Sequence, residues 1–156
     1  MEKENLIRLY ETYSGDVYRL ALSFLGSRQD AEDICQNVFL KLFDKEITLL
    51  PEKEKAWLLT CTANACKNHL RFCRRRNAAE LDETIPFQEQ SDRELWDAVM
   101  KLPPKYRAAI HLFYYEGYGQ AEIAAILRIS LTAVQTRMAR ARQMLRKELD
   151  DNERTI

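Results

Sequence analysis

The chain has 156 residues, and its 24 basic and 24 acidic side chains leave it without formal net charge. This length accommodates one domain or two small ones. A balanced charge argues against nucleic-acid binding if the charges are evenly spread. The start, MEKE, lacks a signal-peptide pattern, and no apolar run approaches the length of a membrane span. We therefore expect a cytoplasmic protein.

The charges are segregated along the chain rather than mixed. Residues 55–76 contain six basic residues and no acidic one, and residues 128–147 contain the same numbers. Between these segments, residues 80–97 contain seven acids and a single arginine. Two cationic segments separated by an acidic one are compatible with two separate surfaces that face phosphate.

Helical periodicity dominates the apolar pattern, and the chain has only four glycines and four prolines. The sequence therefore predicts an all-α protein. The first helix is predicted over about 4–25, with Gly26 at its end. The second helix is predicted to begin after an N-cap at Ser27 and to extend to about Asp44.

The second helix has two different faces. The apolar positions that should be buried are Ala31, Ile34, Cys35, Val38 and Leu42. The opposite side mixes polar and apolar residues, at Glu32, Asp33, Gln36, Leu40 and Phe43. Such a face suggests a docking surface for a partner helix. Alternatively, the acids complement the helix dipole while Leu40 and Phe43 pack on a neighbouring element.

A loop over about 46–55, which contains Pro51, precedes a third helix over about 54–76. One arc of this helix carries amides and cations with a tryptophan at its start: Trp57, Thr60, Asn64, Lys67, Asn68, Arg71, Arg74 and Arg75. Such a stripe can follow a phosphate backbone and contact exposed bases, whereas a plain solvated face would mix both charge signs. The other arcs, which include Leu70 and Phe72, should be buried.

The third helix also carries Cys66, His69 and Cys73 on one side, and these residue types can bind zinc. One helix cannot surround a tetrahedral ion, however, and the two remaining cysteines, Cys35 and Cys61, provide no paired motif. We therefore expect buried thiols, no metal site and no cofactor.

The following segment, residues 78–91, is acidic and aperiodic, which is typical of an interdomain linker. Ser91 and Glu94 form a capping-box pattern that predicts the start of a fourth helix. The Pro-Pro pair at 103–104 ends that helix and starts a fifth, which Gly117 terminates.

Residues 120–137 predict two short helices that meet at a tight break. Ile123, Ala124 and Leu127 line the first, and Ser130 is placed to N-cap the second. The buried positions of the second helix recur at Val134, Met138, Ala141 and Leu145. This arrangement is that of a helix-turn-helix, whose second helix enters the DNA major groove.

The outward face of that second helix suits DNA bases, with Gln135, Thr136, Ala139, Arg140 and Gln143. Gln and Arg can bond base edges bidentately, and Thr and Ala suit a thymine methyl group or a phosphate. The alternative is a solvated helix face on an ordinary bundle. Arg128 stands where such turns usually have glycine, so it takes a left-handed conformation or the turn is built differently.

In this order, the motifs resemble the extracytoplasmic function (ECF) group of bacterial RNA polymerase sigma factors. Residues 30–41 (DAEDICQNVFLK) resemble region 2.2, and 57–71 (WLLTCTANACKNHLR) with 74–76 (RRR) resemble regions 2.3 and 2.4. The segments that resemble region 4 are LPPKYR at 102–107, YEGY at 115–118, EIA at 122–124 and RMARAR at 137–142. The resemblance implies region 2 at 1–77, a linker at 78–91 and region 4 at 92–156.

The resemblance also implies function. A sigma factor is not an enzyme; it binds core RNA polymerase, reads the −35 and −10 promoter elements and helps to open the DNA. The residues implied in docking on the β′ clamp helices are Asp30, Glu32, Asp33, Gln36, Asn37, Leu40 and Phe43. Those implied at the −10 element are Trp57, Asn64, Lys67, Asn68, Arg71, Arg74 and Arg75, with a flipped base captured by the loop at about 47–55. Region 4 would bind the β flap and read the −35 element through Ser130, Thr132, Gln135, Thr136, Ala139 and Arg140.

The family pattern further implies an anti-sigma partner, and no membrane insertion is expected. A second hypothesis is a helix-turn-helix regulator that acts without entering the polymerase. Such a regulator has no use for the mixed face on the second helix, so that face discriminates between the two. A third hypothesis is a zinc- or thiol-responsive switch within a sigma factor.

Overall fold

The protein is helical throughout the part of the chain that the structure describes. A computed structural model describes the backbone of residues 3–45, 47–75 and 90–154, and their side chains except at 74–75, 90–94 and 151–154. These ranges form seven α-helices and no strand: α1 (Lys3–Leu25), α2 (Arg28–Asp44), α3 (Glu54–Arg75), α4 (Gln90–Met100), α5 (Pro104–Ile110), α6 (Gln120–Leu127) and α7 (Leu131–Arg154). The predicted all-α class is confirmed.

The helices form two compact units, one centred on α1–α3 and the other on α4–α7. The domain boundaries 1–77, 78–91 and 92–156 remain a prediction, and residues 78–89 of the predicted linker lie outside the described residues. α4 begins at Gln90, so Ser91 has helical backbone and does not take the predicted N-cap position. Glutamine is a good helix former, which lets the helix start before the capping signal.

The core of the first unit forms where α1 packs against α2 and α3. The α1 side chains in it include Leu9, Val17, Leu20 and Phe24. All five α2 positions predicted to be buried are buried, and Phe39 joins them. From α3 come Leu58, Leu59, Ala63 and Cys66. Each large apolar side chain so buried contributes about 1.5–3 kcal/mol, so this core fixes which faces of α2 and α3 point outward.

The connection between α1 and α2 follows the predicted turn chemistry. Gly26 has a positive φ of 69°, and its N–H donates to the Leu22 carbonyl at 2.8 Å. This is the αL form of helix ending, which favours glycine. Ser27 then N-caps α2 because its hydroxyl accepts a hydrogen bond from the Asp30 N–H at 3.3 Å.

An ion pair holds the start of α3 against α1. After a 3-10 turn at Pro51–Lys53, α3 begins at Glu54, whose carboxylate is buried. Arg8 donates to both carboxylate oxygens, with Nη2 2.6 Å from Oε1 and Nη1 3.2 Å from Oε2. These bonds hold the pKa of Glu54 below its ordinary value.

In the second unit, α7 packs against α4 and α5. Pro103 takes the N-cap position of α5 and Pro104 its first turn, as predicted. Arg107 is buried and donates to the Met100 carbonyl at 3.1 Å, at the end of α4. Burial lowers the pKa of Arg107 to about 10, so the guanidinium stays charged at neutral pH beside the negative end of the α4 dipole.

The α5 helix continues into a π-helical segment at His111–Tyr115, where a regular helix was predicted. The wider turn lets the Tyr118 N–H donate to the Leu112 carbonyl at 3.0 Å. Gly117 ends the segment with a φ of 76°, as predicted. The π turn leaves Tyr114 and Tyr115 exposed while Leu112 is buried.

The turn between α6 and α7 is formed with Arg128 at the position where such turns usually have glycine. Arg128 takes the left-handed conformation, with a φ of 55°. The Ile129 N–H donates to the Ala124 carbonyl at 3.0 Å, the long bond of a Schellman motif. Ser130 N-caps α7 as predicted, since its hydroxyl accepts from the Ala133 N–H at 3.0 Å.

Candidate partner and nucleic-acid interfaces

The outward side of α2 carries large apolar residues among polar ones. Leu40 is 60% exposed and Phe43 is 53% exposed. The exposed polar positions beside them are Glu32, Asp33, Gln36 and Asn37. With Asp30, these residues form the surface that we call the docking face. Exposed apolar side chains along one helix face are typical anchors for a partner helix.

Asp30 differs from the rest of the docking face because it also contacts α3. Its Oδ2 lies 3.4 Å from Nε2 of His69, and its side chain is 34% exposed. Asp30 stands in the first turn of α2, where a carboxylate complements the helix dipole. Part of its role is therefore structural.

The predicted stripe on α3 also faces outward. Asn64, Asn68 and Arg71 are exposed, and Trp57 and Lys67 are half-buried. Thr60 uses its hydroxyl within the helix, donating to the Ala56 carbonyl at 2.8 Å. The side chains of Arg74 and Arg75 lie outside the described residues. We call the residues Trp57, Asn64, Lys67, Asn68, Arg71, Arg74 and Arg75 the basic face.

One prediction for α3 is wrong. Phe72 was expected in the core but is 52% exposed, and Leu70 is only half-buried. Fully buried positions on α3 end at Cys66, so the last described turns have less of the bundle against them. Helical periodicity assigns a face but cannot show where the neighbouring helices stop covering it.

The helix-turn-helix presents the predicted face on α7. Val134, Met138 and Ala141 are fully buried as predicted, whereas Leu145 is only half-buried. The opposite side is exposed and carries Thr132, Gln135, Thr136, Ala139, Arg140 and Gln143. Ser130 begins this face, but its hydroxyl serves as the helix cap. The exposed residues offer amide and guanidinium donors at the spacing of a helix that lies in a major groove.

Comparison with known families identifies both units. The family model for Sigma-70 region 2 matches residues 9–76, and the family model for Sigma-70, region 4 matches residues 92–145. The RNA polymerase sigma factor SigV of Bacillus subtilis is 30% identical over 154 residues, which cover 94% of this chain and 92% of SigV. The chain belongs to the ECF group of RNA polymerase sigma factors.

Other relatives of this sigma factor differ in length. The ECF sigma factor SigE of Mycolicibacterium smegmatis is 30% identical over 157 residues, which cover 90% of this chain but 60% of SigE. The chain thus spans less than two thirds of the length of that relative.

Two solved structures share the fold. The sigma factor RpoE, solved with the anti-sigma factor NepR from Bartonella quintana, gives a TM-score of 0.77 at 21% identity, covering 94% of this chain and 98% of that one. CnrH, solved with the cytosolic domain of CnrY, gives a TM-score of 0.68 at 25% identity, covering 96% of this chain and 90% of that one. At 21% identity, the likeness to RpoE concerns the fold alone.

One candidate promoter-reading residue of the sigma factor has a protein partner that the sequence did not reveal. The Arg140 guanidinium interacts with the hydroxyl of Tyr106, a buried residue of α5, and this interaction lowers the pKa of Tyr106. Arg137, half-buried nearby, has its pKa lowered by burial.

The cysteines of the sigma factor do not gather around a metal. Cys66 is fully buried, and burial raises the pKa of its thiol. His69 instead lies with Cys73, whose Sγ is 3.4 Å from Nε2, and with Asp30. Within the described residues no three His, Cys, Asp or Glu side chains are arranged to hold a metal ion.

Across the described ranges, none of the helices combines the length and the apolar character needed to cross a bilayer.

Proposed function

We propose that this sigma factor docks on core RNA polymerase through the docking face of α2 and reads a promoter through the basic face of α3 and the outward face of α7. The observation that carries the proposal is the docking face itself. Leu40 and Phe43 stay more than half exposed while the opposite side of the same helix is buried. A regulator that never meets the polymerase would have no use for two such anchors.

Docking is proposed to combine apolar and polar contributions. Leu40 and Phe43 would pack against the β′ clamp helices, and the carboxylates of Glu32 and Asp33 would pair with basic residues there. Buried apolar anchors usually supply most of the affinity, while charge pairs speed association and fix the register.

At the −10 element, the basic face is proposed to follow the DNA backbone and contact bases. Asn64 and Asn68 are exposed one helical turn apart, with Arg71 next along the helix. The loop before α3, which includes the exposed Leu50, would receive a base flipped out of the duplex. Extruding a base costs on the order of a few kcal/mol, which backbone contacts and the pocket would offset.

At the −35 element, α7 is proposed to enter the major groove. Gln135 and Arg140 would bond base edges, and Thr132, Thr136 and Ala139 would contact phosphates or methyl groups. The second unit would also bind the β flap. We further propose that the acidic segment 78–91 tethers the two units, so that binding of one raises the effective concentration of the other.

The proposed mechanism involves no covalent chemistry by this chain, because the core polymerase supplies catalysis. An anti-sigma partner is also proposed. The support is the fold shared with the sigma factor RpoE, which was solved with the anti-sigma factor NepR.

The proposal is tested by combining Asp33→Lys with Leu40→Ala. Because one change reverses a charge and the other removes an anchor, affinity for core polymerase should fall by roughly 100-fold or more. The matched control combines Glu11→Lys with Ile7→Ala, an exposed acid and an exposed apolar residue on α1. Binding is measured by fluorescence anisotropy of the labelled full chain. Equal affinities for the double variant and the wild type would refute docking through this face.

A further inference from the structure

A recess of about 400 Å³ lies between α1 and α2, beside the docking face. Its walls are formed by Tyr10, Gly15 and Tyr18 from α1 and by Glu32, Cys35 and Gln36 from α2. Glu32 and Gln36 also belong to the docking face. The recess and the docking face are therefore one continuous surface, and a helix lying on α2 could insert a side chain into the recess.

The walls of the recess are held in place by contacts between α1 and α2. The Tyr10 ring packs edge-on against Phe39, with centroids 5.1 Å apart and planes at 74°. The thiol of Cys35, which is buried, donates to the Ser14 carbonyl at 3.6 Å. Tyr10 nevertheless stays 49% exposed. The recess is thus preformed, which lowers the entropy cost of filling it.

Gly15 stands in the middle of α1, where glycine disfavours the helix. The three atoms nearest to a Cβ added at this position all belong to the Arg19 side chain, with Nη1 at 3.0 Å, and Gly15 has no positive φ. Neither backbone conformation nor core packing therefore requires glycine. A larger residue at this position would displace the Arg19 guanidinium, which lies over Gly15 at this wall of the recess.

The chemistry of the recess favours a planar cation. Glu32 supplies the carboxylate of the lining, and Tyr10 and Tyr18 supply aromatic rings. Arg19, the nearby cation, is paired with Asp16 at 2.9 Å. A carboxylate that lines the same recess as phenol rings suits a guanidinium, which bonds a carboxylate bidentately and stacks on ring faces better than an ammonium does.

We propose that this recess binds an arginine side chain that projects from the polymerase helix docked on α2. The inference rests on the proposed function and adds a specific anchor to it. The arginine would pair with Glu32 and stack on a tyrosine ring of the lining, while Leu40 and Phe43 contact the same helix further along α2. Glu32, Tyr10 and Tyr18 would then set the register of the complex.

Two substitutions test the recess by affinity for core polymerase. Glu32→Gln keeps the size of the side chain but removes its charge, so affinity should fall about tenfold or more. Its salt dependence should also become shallower than that of the wild type. Glu11→Gln, an exposed acid on α1 outside the lining, is the matched control and should bind as the wild type does.

Gly15→Ala separates a binding role from a structural one. Alanine favours the helix, so the melting temperature should rise, while the added methyl group shifts the Arg19 side chain at this wall of the recess and weakens binding to core polymerase. A variant that merely damaged the fold would lose stability and affinity together. Wild-type affinity for both Glu32→Gln and Gly15→Ala would overturn the proposal.

The occupant is identified by photo-crosslinking from position 18, with p-benzoylphenylalanine replacing Tyr18 in the full chain bound to core polymerase. The expected crosslink lies within one helical turn of an arginine on a polymerase helix. A crosslink to a segment without arginine, or none despite binding, would overturn the proposal. If the wild type binds core polymerase and only the Asp33/Leu40 double variant fails, docking stands and the recess inference falls. If the wild type does not bind, the proposed function falls as well.

Discussion

Arg128 takes a backbone conformation that glycine would adopt at lower cost. With a φ of 55°, it closes the Schellman motif between α6 and α7. A left-handed conformation costs a non-glycine residue about 1–2 kcal/mol. The turn is nevertheless formed, because the buried residues on either side of it, Leu127 and Val134, hold it in place.

Replacing Arg128 by glycine should therefore stabilise the second unit by about 0.5–1 kcal/mol, after allowing for the greater freedom of glycine in the unfolded chain. Hydrogen exchange of the α6 and α7 amides in the full chain measures the change. Arg146→Gly, in the middle of α7, is the matched control and should destabilise by about 1 kcal/mol. Exchange in Arg128→Gly that is no slower than in the wild type would show that the turn carries no strain.

The pairing of Glu54 with Arg8 makes the first unit sensitive to acid. The fold lowers the pKa of Glu54 below its unfolded value of about 4.5. The ionised carboxylate therefore adds its full share to the free energy of unfolding above about pH 4.5, and this share is lost as pH falls through the pKa of the folded state. Glu54→Gln should lower the melting temperature at pH 7 and flatten its fall below about pH 4.5. Glu11→Gln, an exposed acid on α1, serves as the control. If the melting temperature of Glu54→Gln falls below about pH 4.5 as steeply as that of the wild type, other groups cause the pH dependence.

At the residue scale, the sequence predicted caps and turns well because their chemistry is local. Ser27, Ser130 and Gly26 each act through neighbours within four residues. The Arg8–Glu54 pair and the interaction of Arg140 with Tyr106 were not predicted. Their partners are far apart in sequence, and only the packing of different helices brings them together.

At the scale of elements, α7 presents its exposed face through a single periodic pattern. Burial of Val134 and Met138 fixes its rotation, so Gln135 and Thr136 must face outward. The same reasoning succeeded for α2 and for the middle of α3. It failed for Phe72, beyond the last fully buried residue of α3, and it missed the π-helical segment at His111–Tyr115.

Gln135→Ala should weaken binding of the holoenzyme to a promoter with an intact −35 element by about 1–3 kcal/mol, because a bidentate base contact is lost. Discrimination at one base pair should be lost as well, which distinguishes base reading from phosphate binding. Competition binding against single-base variants of the −35 element measures both effects. Gln29→Ala, an exposed glutamine on α2, is the matched control. Retained preference at every base of the element would exclude Gln135 from readout.

At the scale of the whole molecule, segregated charge accounts for a DNA-binding chain without net charge. The cationic segments 55–76 and 128–147 include the helices that we propose to face the promoter, and acids are concentrated at 80–97. The charge pattern and the order of motifs predicted two DNA-facing units. They could not predict how α1 and α2 together form the recess, since that depends on the packing of two helices.

The central claim is that this chain directs core polymerase to promoters that have two separate elements. Run-off transcription with purified core polymerase and a promoter library tests it most directly. We predict transcripts that depend on the chain, start from templates sharing a −35 and a −10 motif, and disappear with the Asp33→Lys and Leu40→Ala double variant. No transcription above that of core polymerase alone, across the whole library, would contradict the account.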